Sequence, residues 1–186
     1  MYRKNSKLSK INLVTAVFFV FIAIFYLIYE KASNSKQGAS ESFVPVISVA
    51  DGDTVTVIIS SKEEKVRLIG IDAPELGQKP WGAESKKYLE ILISSSGSKV
   101  RLEYDVDKRD KYGRILAYLW TTDATLVNLS MLKNGQAVLY TFPPNVKYVN
   151  DLKAAQAEAR NKRLGIWSEE GLKEMPRDYK RTHPRM

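Results

Sequence analysis

The chain of 186 residues contains no cysteine and a single histidine, His183, the fourth residue from the end. The lack of cysteine excludes disulfides, thiolate nucleophiles and zinc–thiolate sites. It leaves the compartment open, because a chain without cysteine tolerates either redox state. Catalysis built on histidine pairs or triads is disfavoured, so a carboxylate is expected to carry any proton transfer.

The net charge of +8 points toward nucleic acid only weakly. Most of the excess lies in residues 1–42 and 169–186, whereas basic residues only slightly outnumber acidic ones in residues 43–168. The overall charge is therefore weak evidence for a polyanionic substrate, and the positions of individual arginines are more informative.

Residues 11–29 contain no charged residue, proline or glycine. As a helix this run would be about 28 Å long, close to the thickness of a bilayer core. It predicts an uncleaved transmembrane helix that follows a basic flank at residues 1–10. A cleavable signal peptide is the main alternative, although its apolar part is usually only ~7–15 residues long, and a mitochondrial import signal is a weaker one. The positive flank favours a cytosolic N-terminus and an extracytosolic remainder.

Composition divides the rest of the chain into three segments. Residues 30–42 are small, polar and serine-rich, which indicates a flexible linker. Residues 43–168 form the predicted folded domain. Residues 169–186 form a basic C-terminal tail, and its segment Met175–Arg181 either docks on the domain or is a disordered basic tail.

The pattern of apolar residues in the domain predicts an α+β fold. Short β-branched runs alternate with segments of helical spacing, which favours a small antiparallel barrel of the oligonucleotide-binding (OB) type with three helices. The five predicted strands are residues 44–50, 54–59, 66–71, 99–104 and 115–120, and the three predicted helices are residues 81–93, 126–134 and 148–162.

Three carboxylates and two arginines occur beside predicted turns or strand ends, at Asp53, Asp72, Glu75, Arg67 and Arg114. Carboxylates supply the hard oxygens that Ca²⁺ prefers, and a guanidinium donates two parallel hydrogen bonds to a phosphate. Each residue alone has an ordinary explanation, since an Asp-Gly-Asp sequence is common in hairpin turns. Together they are what a metal-assisted phosphodiester hydrolase requires.

These residues belong to five short motifs that occur in order along residues 44–168, and the chain resembles the thermonuclease, or staphylococcal-nuclease-like, family of calcium-dependent nucleases. The resemblance is specific because all five motifs are present. They are Asp51-Gly52-Asp53-Thr54, the segment 67–75, Gly82-Ala83-Glu84, the segment 110–114, and Leu164-Gly165-Ile166-Trp167-Ser168.

The resemblance implies a five-stranded barrel in which Ca²⁺ is bound by the carboxylates of Asp53 and Asp72 and by the backbone carbonyl of Ala73. Family members often have threonine where this chain has Ala73, but only the backbone oxygen is the implied ligand. The change removes a hydroxyl without removing that oxygen.

The resemblance also implies the catalytic residues. Glu75 corresponds to the general base that activates or orients water, and Arg67 and Arg114 correspond to the arginines that hold the scissile phosphate.

Substrate contacts are implied for four further positions. Lys111 and Tyr112 lie where family members contact a phosphate, and Tyr140 and Phe142 lie where paired tyrosines flank the nucleotide. Aromatic faces stack on any base, which suits low sequence specificity. Core packing explains Tyr140 and Phe142 equally well.

We therefore expect a monomeric, membrane-tethered nuclease that cleaves DNA, RNA or both with Ca²⁺ and leaves 3′-phosphate ends. Its domain is expected on the extracytosolic side, or at a mitochondrial membrane if the source is eukaryotic. The alternative is a non-catalytic OB-type module that binds nucleic acid or protein on the same anchor, and a membrane scaffold with a relic nuclease fold is a weaker one.

Overall fold

The computed structural model describes residues 18–26 and 42–183. The chain divides into two units, Met1–Glu41 and Ser42–Met186. In the first unit, residues 18–26 are helical and exposed. Among all described residues, no helix has both the length and the apolar character needed to cross a bilayer. The predicted transmembrane helix lies in large part outside the described residues, as do the basic flank and almost all of the linker, so these stay predictions.

Within residues 42–183 the chain forms seven strands, β1 (Val44–Asp51), β2 (Thr54–Ile59), β3 (Lys62–Leu68), β4 (Ile71–Asp72), β5 (Lys99–Glu103), β6 (Ile115–Trp120) and β7 (Val138–Leu139). Five of them close into a barrel in the order β1-β2-β3-β6-β5, which confirms the predicted α+β barrel. The pairing of β3 with β6 is parallel, however, so the prediction of an antiparallel barrel was wrong for this pair.

The predicted third strand, residues 66–71, differs from the structure at both ends. Strand β3 begins at Lys62. Its first half pairs with β2 but consists of charged residues, so it shows no alternation of apolar residues that would predict a strand. The chain then turns at Gly70, which has a φ of +80°. Beyond that turn β4 pairs with β7, so Asp72 lies in a separate two-stranded sheet outside the barrel.

In residues 42–183 the three predicted helices are present, and a further helix lies in the tail. This last helix begins with a proline at its first turn, a position where the missing N–H costs no hydrogen bond. The helices are α1 (Trp81–Ser95), α2 (Val127–Lys133), α3 (Val149–Asn161) and α4 (Pro176–Thr182), with a 3₁₀ turn at Gly165–Trp167.

Apolar side chains from the barrel and from the helices form one continuous core. The strands contribute the buried side chains of Val55, Leu68 and Leu119, and the helices contribute those of Leu89 in α1 and Leu132 in α2. Burial of such side chains on one face of each element holds the helices against the barrel.

The hairpin turn between β1 and β2 packs closely on α1. A Cβ added at Gly52 would lie 1.9 Å from Ser85 Oγ and 2.7 Å from the Ala73 Cβ, so glycine is needed for this approach. The Leu68 amide also donates to the Asp53 carbonyl at 2.9 Å. These contacts determine where the turn presents Asp53.

Asn128 joins α2 to the barrel through hydrogen bonds that the sequence did not reveal. It is fully buried. Its Oδ1 accepts from the Leu119 amide at 2.9 Å, and its Nδ2 donates to the Ile69 carbonyl at 2.8 Å. Asn128 thereby holds the turn between β3 and β4.

We expect Asn128→Ala to lower the free energy of unfolding by about 2–5 kcal/mol, because two buried backbone groups lose their partner. Urea denaturation followed by circular dichroism measures the loss. Asn161→Ala, at the exposed end of α3, is the matched control and should change stability by no more than about 0.7 kcal/mol. Equal losses in the two variants would contradict the assignment.

Candidate active site

Arg67 brings the two predicted metal ligands together. Its guanidinium pairs with Asp53 through Nη1 and with Asp72 Oδ1 through Nη2, the latter at 2.8 Å. Asp53 and Asp72 are buried, with 3% and 4% of their surfaces exposed. The same Nη2 donates to the Ile71 carbonyl at 3.1 Å, so the arginine spans from the barrel to β4.

The surroundings of Arg67 affect its pKa in two directions. Burial lowers the pKa of the guanidinium from its usual value, and the negative charges of Asp72 and Asp51 oppose that shift. Arginine keeps its charge even in such surroundings. The site therefore holds one permanent cation beside two buried carboxylates.

Hydrogen bonds orient the Asp53 carboxylate. Its Oδ2 accepts from the Ala73 amide at 2.8 Å, and its Oδ1 accepts from the Thr54 hydroxyl at 2.9 Å. Its own amide donates to Asp51 Oδ1 at 3.2 Å. We call Asp53 and Asp72 the acidic pair. The structure thus places Ala73 beside this pair, as the resemblance implied, while the role of its carbonyl stays a prediction.

Glu75 lies in the loop between β4 and α1. Its amide donates to Gln78 Oε1 at 3.0 Å, and Gln78 Nε2 donates to the Glu174 carbonyl at 2.8 Å. Its carboxylate lies 3.2 Å from Lys180 Nζ. The loop is therefore held by a largely buried glutamine and by the C-terminal tail.

Arg114 is held at the end of a tight turn by Asp110. Its Nε and Nη2 both lie 2.7 Å from Asp110 Oδ2, while Asp110 Oδ1 accepts from the amides of Tyr112 and Arg114. Gly113 closes the turn with a φ of +80°, a conformation that favours glycine. Asp110 belongs to one of the five sequence motifs, but nothing in the sequence indicated that it holds Arg114.

The three predicted catalytic residues line one cavity of about 790 Å³. The acidic pair contributes Asp53 to its wall. The cavity is lined by Ala50, Asp51, Asp53, Thr54, Arg67, Glu75, Leu76, Gly77, Tyr112, Arg114, Tyr179, Lys180 and His183.

The four predicted substrate residues lie around an adjoining cavity of about 450 Å³, to which Lys111, Tyr112, Tyr140 and Phe142 all contribute. Arg67, Tyr112 and Arg114 line both cavities. Phe142 is 69% exposed, which argues against the alternative that it is a core residue.

The acidic pair offers the type of donor that Ca²⁺ prefers, since both groups are oriented carboxylates. Within residues 18–26 and 42–183, no three acidic or histidine side chains come together closely enough to form a cation site by themselves. A bound cation would need further oxygens from backbone, water or substrate. Asp53 and Asp72 fit such a site as two of its ligands.

The C-terminal helix and the residue that follows it contribute three cavity residues that the sequence did not single out. Tyr179, Lys180 and His183 all line the larger cavity, and the His183 ring stacks on Tyr179 with centroids 4.1 Å apart. The structure thus places the tail, including the only histidine, at the site. The one signal in the sequence is a proline followed by aromatic and basic residues.

Comparison with known proteins adds independent evidence. The family described as "Staphylococcal nuclease homologue" matches residues 65–169. The thermonuclease of Staphylococcus intermedius is 37% identical over 170 residues, which cover 84% of this chain and 98% of that protein. The chain belongs to the staphylococcal nuclease family. The predicted family, and with it the class of phosphodiester hydrolases at family level, is therefore confirmed.

Two further relatives show similar identity. The thermonuclease of Staphylococcus hyicus is 36% identical over 141 residues, which cover 73% of this chain and 82% of that protein. Endonuclease YncB of Bacillus subtilis is 39% identical over 128 residues, which cover 65% of this chain. The match spans 59% of that endonuclease, less than two thirds of its length.

We expect Asp110→Asn to slow nucleic-acid cleavage by up to ~100-fold, because Arg114 loses its ion pair and moves from its position. Single-turnover rates measure the effect. Asp151→Asn, an exposed site in the first turn of α3, makes the same change of charge and should retain the wild-type rate. A normal rate in Asp110→Asn would show that Arg114 does not depend on Asp110.

Proposed function

We propose that the protein is a calcium-dependent nuclease that hydrolyses phosphodiester bonds of DNA, RNA or both. As a monomeric endonuclease of this family, it would leave 3′-phosphate ends. The observation that carries the proposal is the cavity in which Arg67, Glu75 and Arg114 surround the edge of a buried acidic pair. A phosphate in this cavity would meet two arginines and a carboxylate.

Asp53, Asp72 and the carbonyl of Ala73 would hold Ca²⁺. When bound, Ca²⁺ polarises the phosphate and offsets its negative charge. The two carboxylates are already oriented by hydrogen bonds from Ala73, Thr54 and Arg67, so little rearrangement of their side chains is needed.

The remaining roles fall to side chains that face the cavity. Arg67 and Arg114 donate hydrogen bonds to the phosphate oxygens, where negative charge increases in the transition state. Glu75 accepts the proton of the attacking water or orients that water. Lys111, Tyr112, Tyr140 and Phe142, around the adjoining cavity, contact the rest of the strand.

The full-length protein should digest single-stranded DNA in Ca²⁺, and digestion should stop when a chelator is added.

We expect Glu75→Gln to lower the rate by about 10²–10⁴-fold, because the acceptor for the water proton is lost. We expect Arg114→Met to lower it by about 10²–10³-fold, because a donor to the transition state is lost. Release of acid-soluble nucleotides measures each rate.

Exposed positions away from the cavity supply the controls. Glu170→Gln and Arg163→Met change charge in the same way and should retain wild-type rates. Undiminished cleavage in Glu75→Gln or Arg114→Met would contradict the assigned roles. Binding of DNA by the wild-type protein without any cleavage would favour a non-catalytic binding module.

We propose further that residues 11–29 tether the nuclease to a membrane, with the catalytic domain on the extracytosolic side. The support is in the sequence, namely an uncharged apolar run of spanning length after a basic flank. Such a tether would confine cleavage to nucleic acid near the membrane surface.

Full-length protein expressed in a bacterial host should remain in the membrane pellet after carbonate extraction, and external protease should digest its domain in spheroplasts. Deletion of residues 11–29 should move the protein to the supernatant, because the apolar run is lost. A processed, soluble form of the full-length chain would instead indicate a cleaved signal peptide.

A further inference from the structure

The C-terminal helix α4 is fastened to the site from several sides. The segment before it accepts a hydrogen bond from Gln78 at the Glu174 carbonyl, 2.8 Å away. The Tyr179 hydroxyl packs so closely on Gly77 that an added Cβ would lie 2.3 Å from it. On the other side, Arg177 lies over the Tyr140 ring, 5.9 Å from its centroid. The helix is thus positioned precisely relative to the Glu75 loop.

This position brings Lys180 into the acidic part of the site. Its Nζ lies 2.6 Å from Asp72 Oδ1 and 3.2 Å from Glu75 Oε1. Arg67 Nη2 lies 2.8 Å from the same Asp72 oxygen. One oxygen of a proposed metal ligand therefore already binds two cations.

The two cations differ in how readily they can leave. Arg67 is held by Asp53, Asp72 and a backbone carbonyl, and only 12% of its side chain is exposed. Lys180 has 38% of its side chain exposed, and its flexible stem allows the ammonium group to return to water. A cation that arrives at Asp72 would therefore displace Lys180 before Arg67.

We propose that Lys180 is an internal counter-ion of the metal site, which competes with Ca²⁺ for Asp72 and leaves when Ca²⁺ binds. The inference rests on the proposed calcium site. Without Ca²⁺, the lysine balances carboxylates that would otherwise repel one another. With Ca²⁺ beside Asp72, the added positive charge would repel the lysine, so part of the binding free energy would be used to displace it. The C-terminal helix thereby raises the calcium concentration that the nuclease requires.

Calcium affinity of the full-length chain tests the proposal directly. Isothermal titration should give a dissociation constant that is roughly 5- to 100-fold lower for Lys180→Met than for the wild type, because the competing cation is gone. Lys180→Gln should behave likewise, and Lys180→Arg should stay close to the wild type. Lys173→Met, an exposed position in the same tail, makes the same change of charge and should leave the constant unchanged.

Thermal unfolding gives a second readout that does not depend on catalysis. In chelator, Lys180→Met should melt at a lower temperature than the wild type, because less positive charge offsets its buried carboxylates. When Ca²⁺ is added, the melting temperature of Lys180→Met should rise more than that of the wild type.

Unchanged or weaker calcium binding by both Lys180→Met and Lys180→Gln would overturn the proposal. If the wild type binds Ca²⁺ and cleaves DNA in that case, only the inference about Lys180 fails. If neither the wild type nor the variants bind Ca²⁺, both the proposed calcium site and the inference fail. Calcium binding by Lys180→Met alone would support the inference, since the lysine would then be what excludes the cation.

Discussion

The pairing of Arg67 with Asp53 and Asp72 is the interaction on which the arrangement of the site depends. Two carboxylates that are only 3% and 4% exposed lose most of their hydration and repel one another, so they need a cation between them. Asp53 belongs to a turn of the barrel and Asp72 to a strand outside it. The same ion pairs therefore join the barrel to β4 and hold the two carboxylates close to one another.

Two further residues of the cavity, Glu75 and Arg114, are more exposed than the buried carboxylates, with 14% and 30% of their side chains exposed. Glu75 depends on Gln78 and on the C-terminal tail, and Arg114 depends on the Asp110 turn. In the proposed mechanism both groups approach the substrate, and their partial exposure is consistent with that role. The site thus combines a buried centre of paired charges with more exposed residues around it. The aromatic residues of the adjoining cavity extend this exposed part of the site.

The strands of the barrel and the first three helices were largely predictable, because β-branched runs and helical spacing of apolar residues are local signals. The third strand was wrong at both ends. Its charged first half shows no apolar alternation, and β4 and β7 are two-residue strands whose pairing joins positions far apart in the chain. The helix α4 is short and polar, so its sequence lacks the apolar pattern that would predict a helix, and only its packing in the structure reveals it.

Five short motifs and the local periodicity of apolar residues were enough to predict the family, the barrel and the identity of the charged groups. Which of these groups contact one another depends on the tertiary structure. The pair Lys180 and Asp72 lies 108 residues apart in sequence, and Asn128 bonds to a carbonyl 59 residues away. Such contacts depend on how the helices pack against the closed barrel, and no local pattern encodes them.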